Sequence, residues 1–231
     1  MGYKYEYAKW LEQVKDEELL KQLSNMDDAE IEDAFYRDLD FGTGGLRGVI
    51  GAGTNRMNVY VVAKVSQGLA NYVKANFSQP SIAVSYDNRI KSDLFARVAS
   101  SVFAANDIQV HVYTELMPTP CLSYAVRALS CSAGIMITAS HNPANYNGYK
   151  VYDNDGCQIT TEAAAKISAE IEKVDTFVAA KYLNFAGDAD SSLINHIDTS
   201  VYTAFTNEVL NQSVLFGDEI NRDIVIVYTP E

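Results

Sequence analysis

The chain has 231 residues, with 18 Lys and Arg against 30 Asp and Glu, so its formal charge is −12 with histidine neutral. At 48% hydrophobic and 21% charged residues the composition is that of a globular protein, which excludes disordered and collagenous classes. A chain of this size buries enough surface for one sizeable core without disulfide or metal staples. Its acidity argues against nucleic-acid binding, because that affinity comes from clustered Lys and Arg.

In chain order, Tyr7, Trp10, Leu11 and Val14 recur at helical spacing, and a second helical segment starts with Asp27 or Asp28 as N-cap and Ile31, Ala34 and Phe35 on one face. The stretch Phe41-Gly42-Thr43-Gly44-Gly45-Leu46-Arg47-Gly48 reads as a turn rather than regular structure. Val62, Val65, Leu69 and Val73 then mark a helix. A strand over 81–86, a helix over 93–105, a strand over 108–113, a helix over 120–129 and a strand over 133–137 follow. This alternation predicts an α/β fold with a mainly parallel, mixed sheet flanked by helices. The dipeptides Asn147-Gly148 and Asp155-Gly156 predict hairpin turns around a short strand over 149–152, ahead of a helix over 161–174. Residues 184–195 read as a linker, Val201, Phe205 and Val209 as a further helix, and 224–228 as a buried-type strand with nothing after it to pair with. That strand is expected to dock on a sheet edge or to pair with a second copy.

No apolar run approaches the roughly 20 residues that cross a bilayer. Tyr3-Lys4-Tyr5-Glu6-Tyr7 contains no apolar signal core, so a cytoplasmic protein without membrane contact is expected. Cys121, Cys131 and Cys157 are odd in number and lack CxxC spacing, which favours reduced core thiols over a disulfide framework or a zinc site. His111, His141 and His196 are scattered.

The densest polar constellation is Thr138-Ala139-Ser140-His141-Asn142-Pro143, after the apolar strand Gly134-Ile135-Met136-Ile137. In a parallel sheet the loop beyond a strand's C-terminal end is where ligands collect. Adjacent Ser140 and His141 need not face each other and the G-x-S-x-G elbow is absent, so a hydrolase relay is not indicated. A polar turn that only bonds its own backbone is the plain alternative. Lys150 lies ten residues after Ser140, across the proposed Asn147-Gly148 turn, where a returning strand can bring its amine back. Taken alone it reads as a solvated lysine, Arg47 as a salt-bridge partner, and Gly42, Gly44 and Gly45 as a tight turn. Neither nucleotide-binding glycine pattern fits that turn. Arg89 and Lys91 sit at a helix start, where anions are welcome, with surface pairing as the equal alternative. Asp188-Ala189-Asp190 and Asp153-Asn154-Asp155-Gly156 are weak as metal sites; the second fails EF-hand spacing and reads as a hairpin turn.

The run from Gly134 through Ser140 to Lys150 closely resembles the active-site serine segment of the α-D-phosphohexomutases. Phe41-Gly42-Thr43-Gly44-Gly45-Leu46-Arg47-Gly48 and Tyr86-Asp87-Asn88-Arg89-Ile90-Lys91-Ser92 agree with the same family in order. The resemblance is strongest to the bacterial phosphoglucomutase or phosphopentomutase-like branch. It implies that Ser140 carries a phosphoryl group, passes it to a sugar monophosphate and regains phosphate from the bisphosphate intermediate. It implies catalytic roles for Ser140, Lys150, His141 and Arg47, with Lys150 as general acid/base. Phosphate or substrate binding falls to Thr138, Asn142, Gly44, Gly45 and Arg89. Mg2+ is implied, held through the Ser140 phosphate and three aspartates of a D-x-D-x-D-R loop, with glucose 1,6-bisphosphate as activator.

The expected substrate is a phosphosugar, glucose most strongly, with mannose or pentose phosphates as alternatives and a non-catalytic phosphate-binding α/β module as the reading from another class. By the same resemblance residues 1–190 form the first of four domains, with 1–40 a helical extension. Residues 191–231 supply a linker, helix and first strand of a truncated second domain. The metal loop and sugar-selecting loop have no counterpart here, so the chain is expected to be inactive alone.

Overall fold

The computed structural model describes residues 2–178, 192–214 and 223–227. Three short helices open the chain: α1 (Tyr3–Gln13), α2 (Glu17–Ser24) and α3 (Asp28–Phe35). Asp27 is the N-cap of α3, and Glu30 closes the capping box by accepting from the Asp27 backbone N–H, so two otherwise orphaned donors are satisfied. The periodicity of the first forty residues hides the break between α1 and α2, where Asp16 caps a new helix. Trp10 is 1% exposed and meets Phe35, Tyr60 and Phe177 edge-on, with ring centroids 5.4–5.7 Å away. The helical extension is thereby part of the main core and not an appendage.

The sheet has six strands in the order β1-β5-β4-β2-β3-β6. They are β1 (Leu46–Val49), β2 (Ser81–Tyr86), β3 (Gln109–Val112), β4 (Ala133–Ile137), β5 (Tyr146–Tyr152) and β6 (Ile194–His196). β4, β2, β3 and β6 run parallel, while β5 is antiparallel to both β4 and β1. Alternate residues face opposite layers. Ile82, Val84, Ile135, Ile137, Tyr149 and Val151 join the large core formed with α4 (Val59–Asn76), α5 (Ser92–Ala105) and α7 (Thr161–Glu172). Ala83, Met136 and Tyr152 face α6 (Thr119–Ala128) through Leu122 and Val126. Helices on both faces of a mostly parallel sheet are what the alternating pattern predicts.

Four expectations are corrected. Asn147-Gly148 is not a turn: both residues lie inside β5, opposite Gly48 and Arg47 of β1, and the chain reverses earlier. The glycine-rich stretch is a turn only as far as Gly45, after which Leu46–Val49 is strand β1. The predicted linker over 184–195 enters the sheet, since Ile194 and Asn195 belong to β6 and pair in parallel with β3. Of the three cysteines, Cys121 and Cys131 are buried but Cys157 is exposed at the 153–157 turn.

Helix α8 (Thr199–Asn211) follows β6, which pairs with β3 and forms one edge of the sheet. Residues 224–227 carry no strand and are exposed. Asp188 and Asp190 lie outside the described residues. No helix among the described residues is long and apolar enough to cross a membrane.

Candidate functional site

The loop between β4 and β5 stands at the C-terminal end of β4, whose Met136 faces α6. Met136 of β4 pairs with Lys150 of β5, so Lys150 points to that face while its neighbours Tyr149 and Val151 enter the main core. Tyr149, fully buried, is tied by its hydroxyl to Ser66 of α4 at 3.0 Å, which pins β5 from behind. Lys150 is thus held nine-tenths buried, and its Nζ donates to Ser140 Oγ at 2.7 Å. Burial pushes the Lys150 ammonium below its usual pKa, the Arg47 charge lowers it further, and Asp87 opposes both. Arg47 reaches this neighbourhood because it lies opposite Gly148, on the strand that flanks β5.

Two glycines let these strands approach. Gly45 has φ +72°, and a Cβ there would lie 1.9 Å from the Tyr149 carbonyl oxygen. At Gly148 a Cβ would lie 2.6 Å from the Thr138 carbonyl oxygen and 2.9 Å from Arg47 Cγ. Gly44 has open space, so it serves the turn rather than a close contact.

Ser140 itself is exposed and has φ +53°, a left-handed conformation that costs a non-glycine residue about 1–3 kcal/mol unless its surroundings hold it. Its N–H donates to Thr138 Oγ1 at 3.0 Å. The Arg89 guanidinium gathers the loop from below, donating to the carbonyls of Asn142 at 2.9 Å, Pro143 at 3.0 Å, Tyr146 at 3.2 Å and, closer still, Ser140. Arg89 therefore acts here on protein carbonyls. Lys91, its companion in the sequence motif, turns away to pair with Glu18 of α2 at 2.7 Å.

His141 is exposed beside the serine, and Asn142 closes the turn through its N–H to the Ala139 carbonyl at 3.0 Å. The Asn142 side-chain oxygen is buried without a hydrogen-bond donor.

Asp87 is the residue that sequence reasoning missed. It accepts from the Thr138 hydroxyl, from Ser92 Oγ at 3.2 Å and from the Arg89 N–H at 3.3 Å, and its Oδ2 lies 3.8 Å from Arg89 Nε. The signal available was its place at the end of a central parallel strand, two residues before Arg89. Asn147 adds a second tie, donating to the Ile90 carbonyl at 3.0 Å and to Ser92 Oγ at 2.9 Å, so the loop after β2 is locked to β5.

The geometry offers a nucleophilic or phosphate-bearing hydroxyl, a partly desolvated amine in contact with it, and an arginine close enough to bias that amine. In a chain of net charge −12 this is a local gathering of cations suited to an anionic ligand. Among the described residues no three His, Cys, Asp or Glu side chains cluster to hold a metal ion. Mg2+ takes about six oxygen ligands, and the Ser140 oxygen alone does not fit that demand.

Residues 38–177 match the family described as phosphoglucomutase/phosphomannomutase, alpha/beta/alpha domain I. A phosphoglucomutase of Staphylococcus epidermidis is 36% identical over 221 residues, which cover 95% of this chain and 40% of that protein. A phosphoglucomutase of Staphylococcus aureus is 42% identical over 165 residues, 71% of this chain and 30% of that protein. Among solved structures, a Thermus thermophilus protein provisionally described as a phosphomannomutase superposes with TM-score 0.58 at 29% identity, covering 71% of this chain and 34% of that one. The chain thus spans no more than about 40% of the length of these relatives.

Proposed function

Because the chain belongs to the phosphoglucomutase/phosphomannomutase family, we propose that it supplies the phosphate-carrying part of a sugar-phosphate mutase, with Ser140 as the carrier. The observation that carries this reading is the 2.7 Å contact between Lys150 Nζ and Ser140 Oγ, at the end of a buried parallel strand. The reaction interconverts a sugar 1-phosphate and a sugar 6-phosphate. Glucose is the proposed sugar, because the relatives quoted above at 36% and 42% identity are named phosphoglucomutases.

When the serine is loaded, Oγ attacks phosphorus and its proton passes to the neutral Lys150 amine. The bond from phosphorus to the sugar oxygen breaks, and that oxygen takes up a proton from water. When the serine gives up its phosphate, a sugar hydroxyl attacks and releases its proton to water, and Lys150 returns to the departing Oγ the proton it took. An amine held below its ordinary pKa suits both directions. A phosphoserine adds about −1.5 to −2 charge, and Arg47, Lys150 and the exposed His141 are the groups proposed to meet it. Phosphoryl transfer depends chiefly on positioning and electrostatic stabilisation, and the Gly44-Gly45 turn, Thr138 and Asn142 are proposed to frame the phosphate.

Dependence on a divalent metal and a sugar bisphosphate belongs to the same reading, with Mg2+ and glucose 1,6-bisphosphate as the proposed species. A cytoplasmic location and a phosphosugar substrate complete it. Residues 1–190 are proposed as the first domain with its helical extension. A Ser–His hydrolase relay is disfavoured because the amine of Lys150, and not the imidazole of His141, meets Ser140 Oγ.

The test is conversion of glucose 1-phosphate by the native-length protein and by its Ser140→Ala variant. Turnover abolished by the substitution supports the assignment, and turnover that survives it refutes the role of Ser140.

A further inference from the structure

The left-handed backbone of Ser140 needs something to hold it, and the contacts beneath it form a directed chain. A threonine hydroxyl has one proton and two lone pairs, whereas an ionised carboxylate only accepts. The Thr138 proton therefore goes to Asp87 Oδ2, which leaves a lone pair of Thr138 Oγ1 facing the N–H of Ser140. The same Asp87 oxygen is the counter-charge nearest Arg89 Nε, and the fork of Arg89 holds the carbonyls on both sides of Ser140's neighbour His141. Asp87 is itself fixed, since Ser92 Oγ and the Arg89 N–H donate to its other oxygen. One carboxylate thus leaves Thr138 Oγ1 free to accept from the serine's N–H and orients the guanidinium that donates to the serine's carbonyl.

We propose that Asp87 is a positioning residue of phosphoryl transfer: acting through the Thr138 hydroxyl and the Arg89 guanidinium, it fixes the backbone of Ser140 so that Oγ faces Lys150. Asp87 touches neither the substrate nor the transferred phosphate. The proposal rests on the reading of Ser140 as phosphate carrier. An asparagine at 87 keeps the shape but can present an N–H toward Thr138 or Arg89, which loosens both arms. Misplacing a reacting group by about 1 Å costs on the order of 100-fold in rate, so the effect belongs in the transfer step and not in substrate binding.

The experiment follows phosphate uptake on Ser140 of the native-length protein from glucose 1,6-bisphosphate, by quenched-flow mass spectrometry, for wild type, Asp87→Asn, Thr138→Val, their double variant and Thr138→Ser. Asp87→Asn and Thr138→Val are each expected to slow uptake by about 10- to 100-fold, with the bisphosphate concentration for half-maximal rate within about twofold of wild type. The double variant is expected to be no slower than the slower single, because one chain is broken either way. Thr138→Ser, which keeps the hydroxyl, is expected to restore most of the rate. Wild-type rates in Asp87→Asn, or effects that multiply in the double variant, overturn the proposal while leaving the carrier assignment standing. If Asp87→Asn does not fold, failure of Thr138→Ser to outperform Thr138→Val overturns it as well. A wild-type protein that takes up no phosphate on Ser140 overturns the carrier reading, and the proposal with it.

Discussion

Lys150 Nζ and Ser140 Oγ lie 2.7 Å apart although one residue sits on strand β5 and the other in the loop that leaves β4. The antiparallel register that pairs Met136 with Lys150 brings the amine back to the end of β4. Replacing Lys150 with Met keeps length and burial and removes the proton acceptor. The account expects kcat to fall by about 10²–10⁴-fold with KM little changed, measured by steady-state conversion of glucose 1-phosphate.

The second prediction concerns pH. A lysine whose pKa is lowered becomes a competent base at lower pH than a free lysine. Burial is the first cause of that lowering, and the Arg47 charge is the second. Arg47→Gln removes the charge while leaving the burial, so the Lys150 pKa rises. The acid limb of the pH profile for Ser140 phosphorylation is then expected to move to higher pH, and a limb that stays in place contradicts the coupling.

Gly45 and Gly44 are neighbours with opposite tolerances. Gly45→Ala forces a side chain into φ +72° and against the Tyr149 carbonyl, whereas Gly44→Ala meets open space. The first is expected to lower the thermal midpoint by about 5 °C or more, since left-handed strain alone is about 1–3 kcal/mol and each kcal/mol moves a domain of this size by about 2–4 °C. The second is expected to leave it nearly unchanged.

Trp10 tests whether the opening helices belong to the domain. Its ring fills a pocket between Phe35, Tyr60 and Phe177, which come from α3, α4 and the segment after α7. Trp10→Ala is expected to cost about 3–5 kcal/mol in chemical denaturation while the transition stays single.

Much of this was legible in the sequence because the signals were local. The strand at 81–86, the helix at 93–105 and the strand at 133–137 follow from apolar period and punctuation, and they land within a residue of β2, α5 and β4. Asn147-Gly148 misled for a physical reason. A glycine in a strand reads as a turn residue, but here it admits the Thr138 carbonyl and Arg47, a requirement set by strands distant in the chain. Lys150 is legible near Ser140 even with the turn misplaced, because a return over ten residues brings the strand back, and the pairing of Met136 with Lys150 decides the face it presents. Asp87 was not found because its partners Thr138, Ser92 and Arg89 converge only in three dimensions. Strand β6 reads as linker from sequence because three residues are too few for a period to register.

The central claim is that the hydroxyl of Ser140 is esterified with phosphate. It is tested most directly by incubating the native-length protein with glucose 1,6-bisphosphate and locating any added phosphate by peptide tandem mass spectrometry. The account predicts one phosphate, on Ser140, lost again when glucose 1-phosphate is added. Phosphate on another residue, or none on a folded protein, would contradict it.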